Sequence, residues 1–309
     1  MNPWVTAVAQ PDELGESAFW HPQERMLYWV DIAARQLRRV DPAHGEVQSW
    51  GMPSEPGCIA PVAGGGLVIG LRDGVYRARS WGKALTLVVR LSHDIATTRL
   101  NDGKADPAGR FWVGTMYEPR DARRAALYSI DLRQDNASGG QPIVQLKAHN
   151  AVIANGLAWS PDAAVVYWAD TPNHVVHAWD WDADTNTMQS HRVFQQFPAK
   201  PAGWQPGQPG YGGRPDGAAV DAQGNYWVAM FEGQRLLQIA PSGELVADVP
   251  LPVRCPTMPC FGGDDLKTLY VTSARHRRPP AELEALPQSG CVLSTRVDIP
   301  GLPVNFVST

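Results

Sequence analysis

Short apolar, aromatic runs recur along this chain, each followed by one or two strands of alternating pattern. The six runs are Leu27-Tyr28-Trp29-Val30-Asp31, Gly66-Leu67-Val68-Ile69-Gly70, Phe111-Trp112-Val113-Gly114, Val166-Tyr167-Trp168-Ala169-Asp170, Tyr226-Trp227-Val228-Ala229 and Leu269-Tyr270-Val271-Thr272. Turn signals precede five of them: His21-Pro22, Asp106-Pro107-Ala108-Gly109, Ser160-Pro161-Asp162, Asp221-Ala222-Gln223-Gly224 and Gly262-Gly263-Asp264. Behind the runs, Gln36-Leu37-Arg38-Arg39-Val40-Asp41 and Leu127-Tyr128-Ser129-Ile130-Asp131 alternate as half-buried strands do. The spacing between runs, roughly 40 to 60 residues, is that of a four-stranded propeller blade with variable loops. The pattern therefore predicts an all-β, six-bladed β-propeller, with residues 1–309 as a single domain, because one blade cannot bury both its faces. Residues near Val5 to Ala9 are expected to close the ring beside Cys291 to Val297. The one helical signal is a turn or so at 281–286.

Composition agrees. Gly and Pro make up about 18% of the 309 residues, against a usual share of roughly 12%, which fits many turns and short strands. A net charge of −4, with no Lys/Arg run longer than two, argues against nucleic acid and anionic membranes as partners. There is no signal-peptide pattern at the N-terminus and no apolar stretch of membrane-spanning length. Cys58, Cys255, Cys260 and Cys291 form no CxxC or zinc-ligand spacing and read as free buried thiols, so a cytoplasmic location is expected. Two Pro/Gly-rich insertions break the spacing: 198–215, read as a lid, and 275–289, read as lid or linker.

Four oxygen-bearing side chains sit at matching distances ahead of Trp-containing runs. Glu16, Asn101, Asn155 and Asp216 precede Trp29, Trp112, Trp168 and Trp227 by 13, 11, 13 and 11 residues. In a propeller, equal phase means equivalent position at the mouth of the central channel. Two carboxylates and two amide oxygens there suit a hard divalent cation. Blades two and six offer only Gly57-Cys58 and Pro259-Cys260 at this phase, which leaves a side open for substrate. Taken singly, Asn155-Gly156 and Pro215-Asp216-Gly217 are ordinary turn sequences; the common phase is what gives them meaning. No Gly-x-Ser-x-Gly, P-loop or His-Glu-x-x-His is present, and His149 is the one histidine that invites a check.

The segments Leu14-Gly15-Glu16, Arg99-Leu100-Asn101-Asp102-Gly103-Lys104, Asp106-Pro107-Ala108-Gly109-Arg110, Gly114-Thr115-Met116, Asn155-Gly156-Leu157-Ala158-Trp159-Ser160, Pro215-Asp216-Gly217 and Cys260-Phe261-Gly262-Gly263 together resemble the senescence-marker/regucalcin/gluconolactonase family. The resemblance implies a propeller with one divalent cation (Ca2+, Zn2+, Mn2+ or Mg2+) at the channel mouth, held by Glu16, Asn155 and Asp216. It implies that Arg99 and Asn101 face the substrate, with Asn101 reaching the cation directly or through water, and that Glu118 meets substrate hydroxyls. The expected reaction is hydrolysis of a five- or six-carbon sugar lactone, with Asp216 as general base, by a monomer or weak homo-oligomer. A phosphotriester (organophosphate) hydrolase and a non-enzymatic calcium-binding or protein-binding propeller are the alternatives.

Overall fold

The computed structural model describes residues 2–133 and 140–309. Strand β1 (Val5–Val8) stands alone at the start. Blade one is β2 (Gly15–His21), β3 (Met26–Asp31), β4 (Gln36–Val40) and β5 (Val47–Gly51). Blade two is β6 (Cys58–Pro61), β7 (Leu67–Leu71), β8 (Gly74–Ala78) and β9 (Leu85–Val89). Blade three is β10 (Thr98–Ala105), β11 (Phe111–Tyr117), β12 (Ala125–Asp131) and β13 (Ile143–Ala151). Blade four is β14 (Ala154–Trp159), β15 (Val165–Asp170), β16 (Val175–Asp182) and β17 (Thr187–Gln196). Blade five is β18 (Arg214–Val220), β19 (Tyr226–Phe231), β20 (Arg235–Ile239) and β21 (Leu245–Pro250). Blade six is β22 (Pro256–Gly262), β23 (Thr268–Ser273) and β24 (Val292–Arg296). Every sheet is an antiparallel meander, and β1 supplies the fourth strand of blade six, pairing Val5 with Ser294 and Val8 with Val292. The ring closes as the sequence led us to expect.

All six aromatic runs became second strands, and the reason lies between the blades. Six apolar clusters occupy the six junctions. Tyr28 and Val30 meet Ile59 and Ile69 between blades one and two. Val68 meets Leu100 and Phe111 at the next junction, and Trp112 meets Trp159 and Trp168 at the third. Tyr167 faces Tyr226, Trp227 faces Phe261, and Tyr270 completes the circle against Trp20 and Trp29. Burying one such ring is worth on the order of 5 kcal/mol in area terms. Turn chemistry adds to this in blades three and five. Asp106 Oδ1 accepts from Ala108 N and Arg110 N while its Oδ2 takes the Trp112 indole at 2.8 Å. Asp221 repeats the device with Gln223 N, Asn225 N and the Trp227 indole. One carboxylate thus shapes the hairpin and satisfies a buried donor.

Inner strands β2, β6, β10, β14, β18 and β22 all start at the same end of the ring, which is the mouth. Across the opposite end runs the segment 300–308. It bonds Gly301 N to Leu266 O, Leu302 N to Val220 O, Val307 N to Pro61 O and Ser308 N to Gly109 O, touching blades six, five, two and three. Leu302 to Asn305 and the lower inner strands line an open cavity of about 260 Å3 there. The one α-helix among the described residues, α1 (Pro280–Ala285), lies in the 275–289 insertion, and no helix is long and apolar enough to cross a membrane. All four cysteines are buried and unpaired.

Candidate active site

Five of the six inner strands carry a one-residue bulge near their start. The register slips between Glu16 and Phe19, Leu100 and Gly103, Asn155 and Ala158, Pro215 and Ala218, and Pro256 and Pro259. The four oxygen donors sit at the upper edge of these bulges, where a strand re-aims its side chains. Blade six therefore presents Thr257 at this level, bonded to Gly15 O and Thr272, and not Pro259-Cys260 as the Trp spacing suggested. Blade two has no bulge, and there Gly57 is required. A Cβ at Gly57 would stand 2.4 Å from Leu100 O and 2.9 Å from Asn101 N. In blade four, Gly156 holds φ at +62° directly after Asn155, a conformation that favours glycine.

Carboxylates at the ends of the second strands fix the loops that lead into the donors. Asp31 accepts from Glu13 N (2.8 Å) and Leu14 N (3.0 Å), two residues ahead of Glu16. Asp170 accepts from Val152 N (3.1 Å) and Ile153 N (3.3 Å), two residues ahead of Asn155. The shared Trp-x-Asp ending of β3 and β15 is the sequence trace of this clamp.

A buried hydrogen-bond chain crosses three blades, and its polarity is forced from both ends. Arg99 can only donate. Its Nη1 reaches Asn101 Oδ1 at 2.7 Å, so the Asn101 amide nitrogen points onward, to Asn155 Oδ1 and Ala154 O, each at 2.9 Å. At the other end the Pro215 carbonyl can only accept, and Thr171 donates its single hydroxyl proton to it at 2.7 Å. The Thr171 oxygen must therefore accept, and Asn155 Nδ2 donates to it at 2.8 Å. Asn155 is thereby locked with its nitrogen toward Thr171 and its oxygen toward Asn101. The Asn101 oxygen is engaged by Arg99, so Asn101 stands between the guanidinium and Asn155. Thr171, which opens a 3-10 turn at Thr171–Asn173, went unseen in the sequence.

Glu16 and Asp216 are buried, as are Arg99, Asn101, Asp102 and Asn155. Glu16 accepts only the Ser17 backbone N–H, at 3.0 Å, and Asp216 accepts no hydrogen bond among the described residues. Burial first, then the charges of Asp216 and Asp102, push the Glu16 carboxyl well above the usual range; Ser17 N–H and Lys104 oppose this. Burial likewise raises Asp216 to about 8, with Arg214 and Arg99 pulling down and Asp102 pushing up. Asp102 Oδ2 accepts from Leu157 N at 2.9 Å, while its Oδ1 is buried without a partner. Lys104 supplies a counter-charge from below, donating to Ala218 O. No group of three or more His, Cys, Asp or Glu that could hold a metal is gathered among the described residues, so any cation here must draw on an amide. The residues fit one: two repelling carboxylates short of donors, an orphaned carboxylate oxygen beneath them, and an amide oxygen fixed in orientation.

Glu118 stands at the same mouth but is engaged elsewhere. Arg72 of blade two grips it through two bonds of 3.0 and 3.1 Å and holds Glu55 as well. Glu118, Arg72 and Glu55 all lie close enough to act on the charge of Arg99. His149 is exposed on β13 and belongs to no site. The 198–215 insertion packs by Trp204 and Tyr211, both buried, with Tyr211 bonded to His174 Nε2 at 2.8 Å.

Fold and site together define a six-bladed propeller with an acidic, amide-lined funnel at one mouth. The family model for the SMP-30/Gluconolactonase/LRE-like region matches residues 14–275, and the chain belongs to that family. It is 41% identical over 296 residues to 6-deoxy-6-sulfogluconolactonase from Pseudomonas putida, covering 95% of this chain and 94% of that protein. It is 32% identical to regucalcin from Danio rerio over 96% and 95% of the two chains. Among solved structures it superposes on regucalcin, a calcium-binding protein from Agrobacterium tumefaciens, with a TM-score of 0.86 at 24% identity, covering 97% and 96%.

Proposed function

We propose that this protein is a sugar-lactone hydrolase whose mouth site binds one divalent cation through Glu16, Asn155 and Asp216. The observation that carries the reading is the pairing of two buried, mutually repelling carboxylates with an amide oxygen aimed by the Arg99–Asn101–Asn155–Thr171 chain. The Pseudomonas relative, named for a gluconolactone substrate, supports a six-carbon aldonolactone. Hydrolysis adds water to the ring carbonyl, breaks the ring C–O bond and leaves a carboxylate and a hydroxyl.

Residue roles follow from placement. Asp216 has a carboxylate oxygen free to take the proton of the attacking water. Arg99, buried beside Asn101, offers donors to a ring or chain oxygen as the acid forms. Asn101 and Glu118 border the space where hydroxyls would sit. A divalent cation, when bound, polarises the carbonyl and stabilises the oxyanion. The four unpaired thiols support a reducing compartment, the cytoplasm.

The test is a pH-indicator assay on a panel of aldono-1,4- and 1,5-lactones, with and without chelator, against the spontaneous rate at the same pH. Acceleration lost to chelator and restored by a divalent salt is the expected result. A protein that cleaves a phosphotriester and no lactone would transfer the site to the rival chemistry.

A further inference from the structure

The outer wall of blade four brings two imidazoles into contact. Gln189 pairs with Asp180 and Arg192 with Ala178, so Ser190 and His191 together face the single residue Trp179, and the register slips there. Ser190 takes a left-handed φ of +51° within this bulge. The bulge re-aims His191 on β17 toward His177 on β16, and His191 Nε2 meets His177 Nδ1 at 3.0 Å across 14 residues of sequence. Trp179 closes one side, its ring centre 4.8 Å from that of His191 and 5.7 Å from that of His177, while Trp168 lies 6.5 Å from His177. Burial first, and then the neighbouring His191, hold His177 below the ordinary imidazole range, which favours a neutral ring with a free lone pair. Arg192, next in sequence, is held by Asp180 at 2.7 Å. Among the described residues no other two of the chain's eight histidines bond to each other.

We propose that His177 and His191 form a chelating site for a late first-row divalent cation, Cu2+ or Ni2+, separate from the oxygen-lined mouth. Metal–imidazole bonds of about 2.0–2.1 Å set two nitrogens about 2.9 Å apart when they meet at a right angle, and about 3.3 Å apart at the tetrahedral angle. The observed 3.0 Å matches the right angle, the geometry of tetragonal Cu2+ and Ni2+ rather than of tetrahedral Zn2+. In the pair, one ring donates its proton to the lone pair of the other. When a cation binds, that proton moves to the second nitrogen of its own ring, and both facing nitrogens give their lone pairs to the metal. Each imidazole stays neutral and no proton is released. His191 is exposed, so water completes the coordination on the solvent side. Nitrogen donors here, and carboxylate and amide oxygens at the mouth, sort cations by softness, so the two sites take different metals.

The experiment titrates the full chain with Cu2+ held by nitrilotriacetate, a chelate that leaves room for two adjacent donors. Tryptophan fluorescence reports binding, because Trp168 and Trp179 adjoin the pair, and electron paramagnetic resonance counts the imidazole nitrogens. One chelate per chain is expected, with two imidazoles on the copper. His177→Gln and His191→Gln should each weaken binding about hundredfold or more, as loss of one of two linked contacts does. His149→Gln, on β13, should leave binding unchanged. His191 is exposed, so its variant keeps the fold and decides the matter should His177→Gln not fold. The Zn2+ chelate should bind about tenfold more weakly than the Cu2+ chelate, or weaker still. Excess Ca2+ should leave the copper titration unaltered. Equal affinity in wild type and His191→Gln, a single imidazole on the copper in wild type, or displacement of the copper by Ca2+ overturns the proposal. Tighter binding of Zn2+ than of Cu2+ overturns the right-angle geometry on which it rests.

Discussion

Thr171→Val separates the orientation of Asn155 from its presence. Valine keeps the shape of threonine and exchanges a hydroxyl for a methyl, so packing beside Pro215 is retained. Two bonds disappear, the 2.8 Å bond from Asn155 Nδ2 and the 2.7 Å bond to Pro215 O. Each stranded polar group costs about 1–3 kcal/mol, although the amide can recover part of this by turning. Asn101 still donates to Asn155 Oδ1 at 2.9 Å, so one of the two restraints on the amide survives. Loss of one such supporting bond weakens metal sites about 10- to 100-fold. Titration calorimetry with Ca2+ and Mn2+, backed by elemental analysis, should therefore show dissociation constants raised by that factor, with thermal stability down by a few degrees. Thr171→Ser, which restores the hydroxyl without the methyl, should return affinity to near the wild-type value. A Val variant that binds cation as tightly as wild type refutes the orienting role. A Ser variant as weak as Val would assign the effect to packing.

Four further outcomes are expected. Glu16→Gln and Asp216→Asn should lose bound metal by elemental analysis while keeping a β-type circular dichroism spectrum with less than roughly a fifth helix, since the blade junctions and not the site hold the fold; undiminished metal content would end the ligand assignment. Asp216→Asn should also be inactive when saturated with metal, and residual turnover near wild type would remove it as the base. Arg99→Ala should lower kcat/KM by tens- to thousand-fold, the loss of a charged contact worth about 1.5–3 kcal/mol or more, and an unchanged value would place Arg99 outside the reaction. Glu232 is raised by burial but held at about 2 by Arg214, Lys200 and Arg278. Because its folded affinity for protons lies below the ordinary carboxylate value, its contribution is present above about pH 4.5 and lost as pH falls toward 2. Melting temperature against pH should accordingly be flatter over that window in Glu232→Gln, and identical slopes would contradict the linkage.

Much of this was written in the chain, and the misses have physical causes. Aromatic runs gave the blades because each blade needs two apolar faces, and the ring closure was visible because β24 lacked an outer neighbour. The donor-to-Trp distances of 13 and 11 concealed two separate effects. In blades three and five the Trp pairs below the bulge, with Lys104 and Ala219, whereas in blades one and four it lies opposite the bulge, between the pairs Glu16↔Val30 and Phe19↔Tyr28 and between Asn155↔Ala169 and Ala158↔Tyr167. Trp29 and Trp168 also pack toward the preceding blade, whereas Trp112 and Trp227 pack toward the following one. Spacing to Trp therefore misjudged blade six, where strand register selects Thr257. Thr171, Asp31 and Asp170 escaped notice because they act through backbone groups far away in sequence. The Arg72 grip on Glu118 joins residues 46 apart, and no local pattern announces it.

The segment that crosses the far end of the ring has a kinetic meaning. Its bonds to Leu266, Val220, Pro61 and Gly109 tie blades six, five, two and three together, so the ring cannot open between them until these bonds break, which adds a barrier to unfolding beyond the β1–β24 pairing.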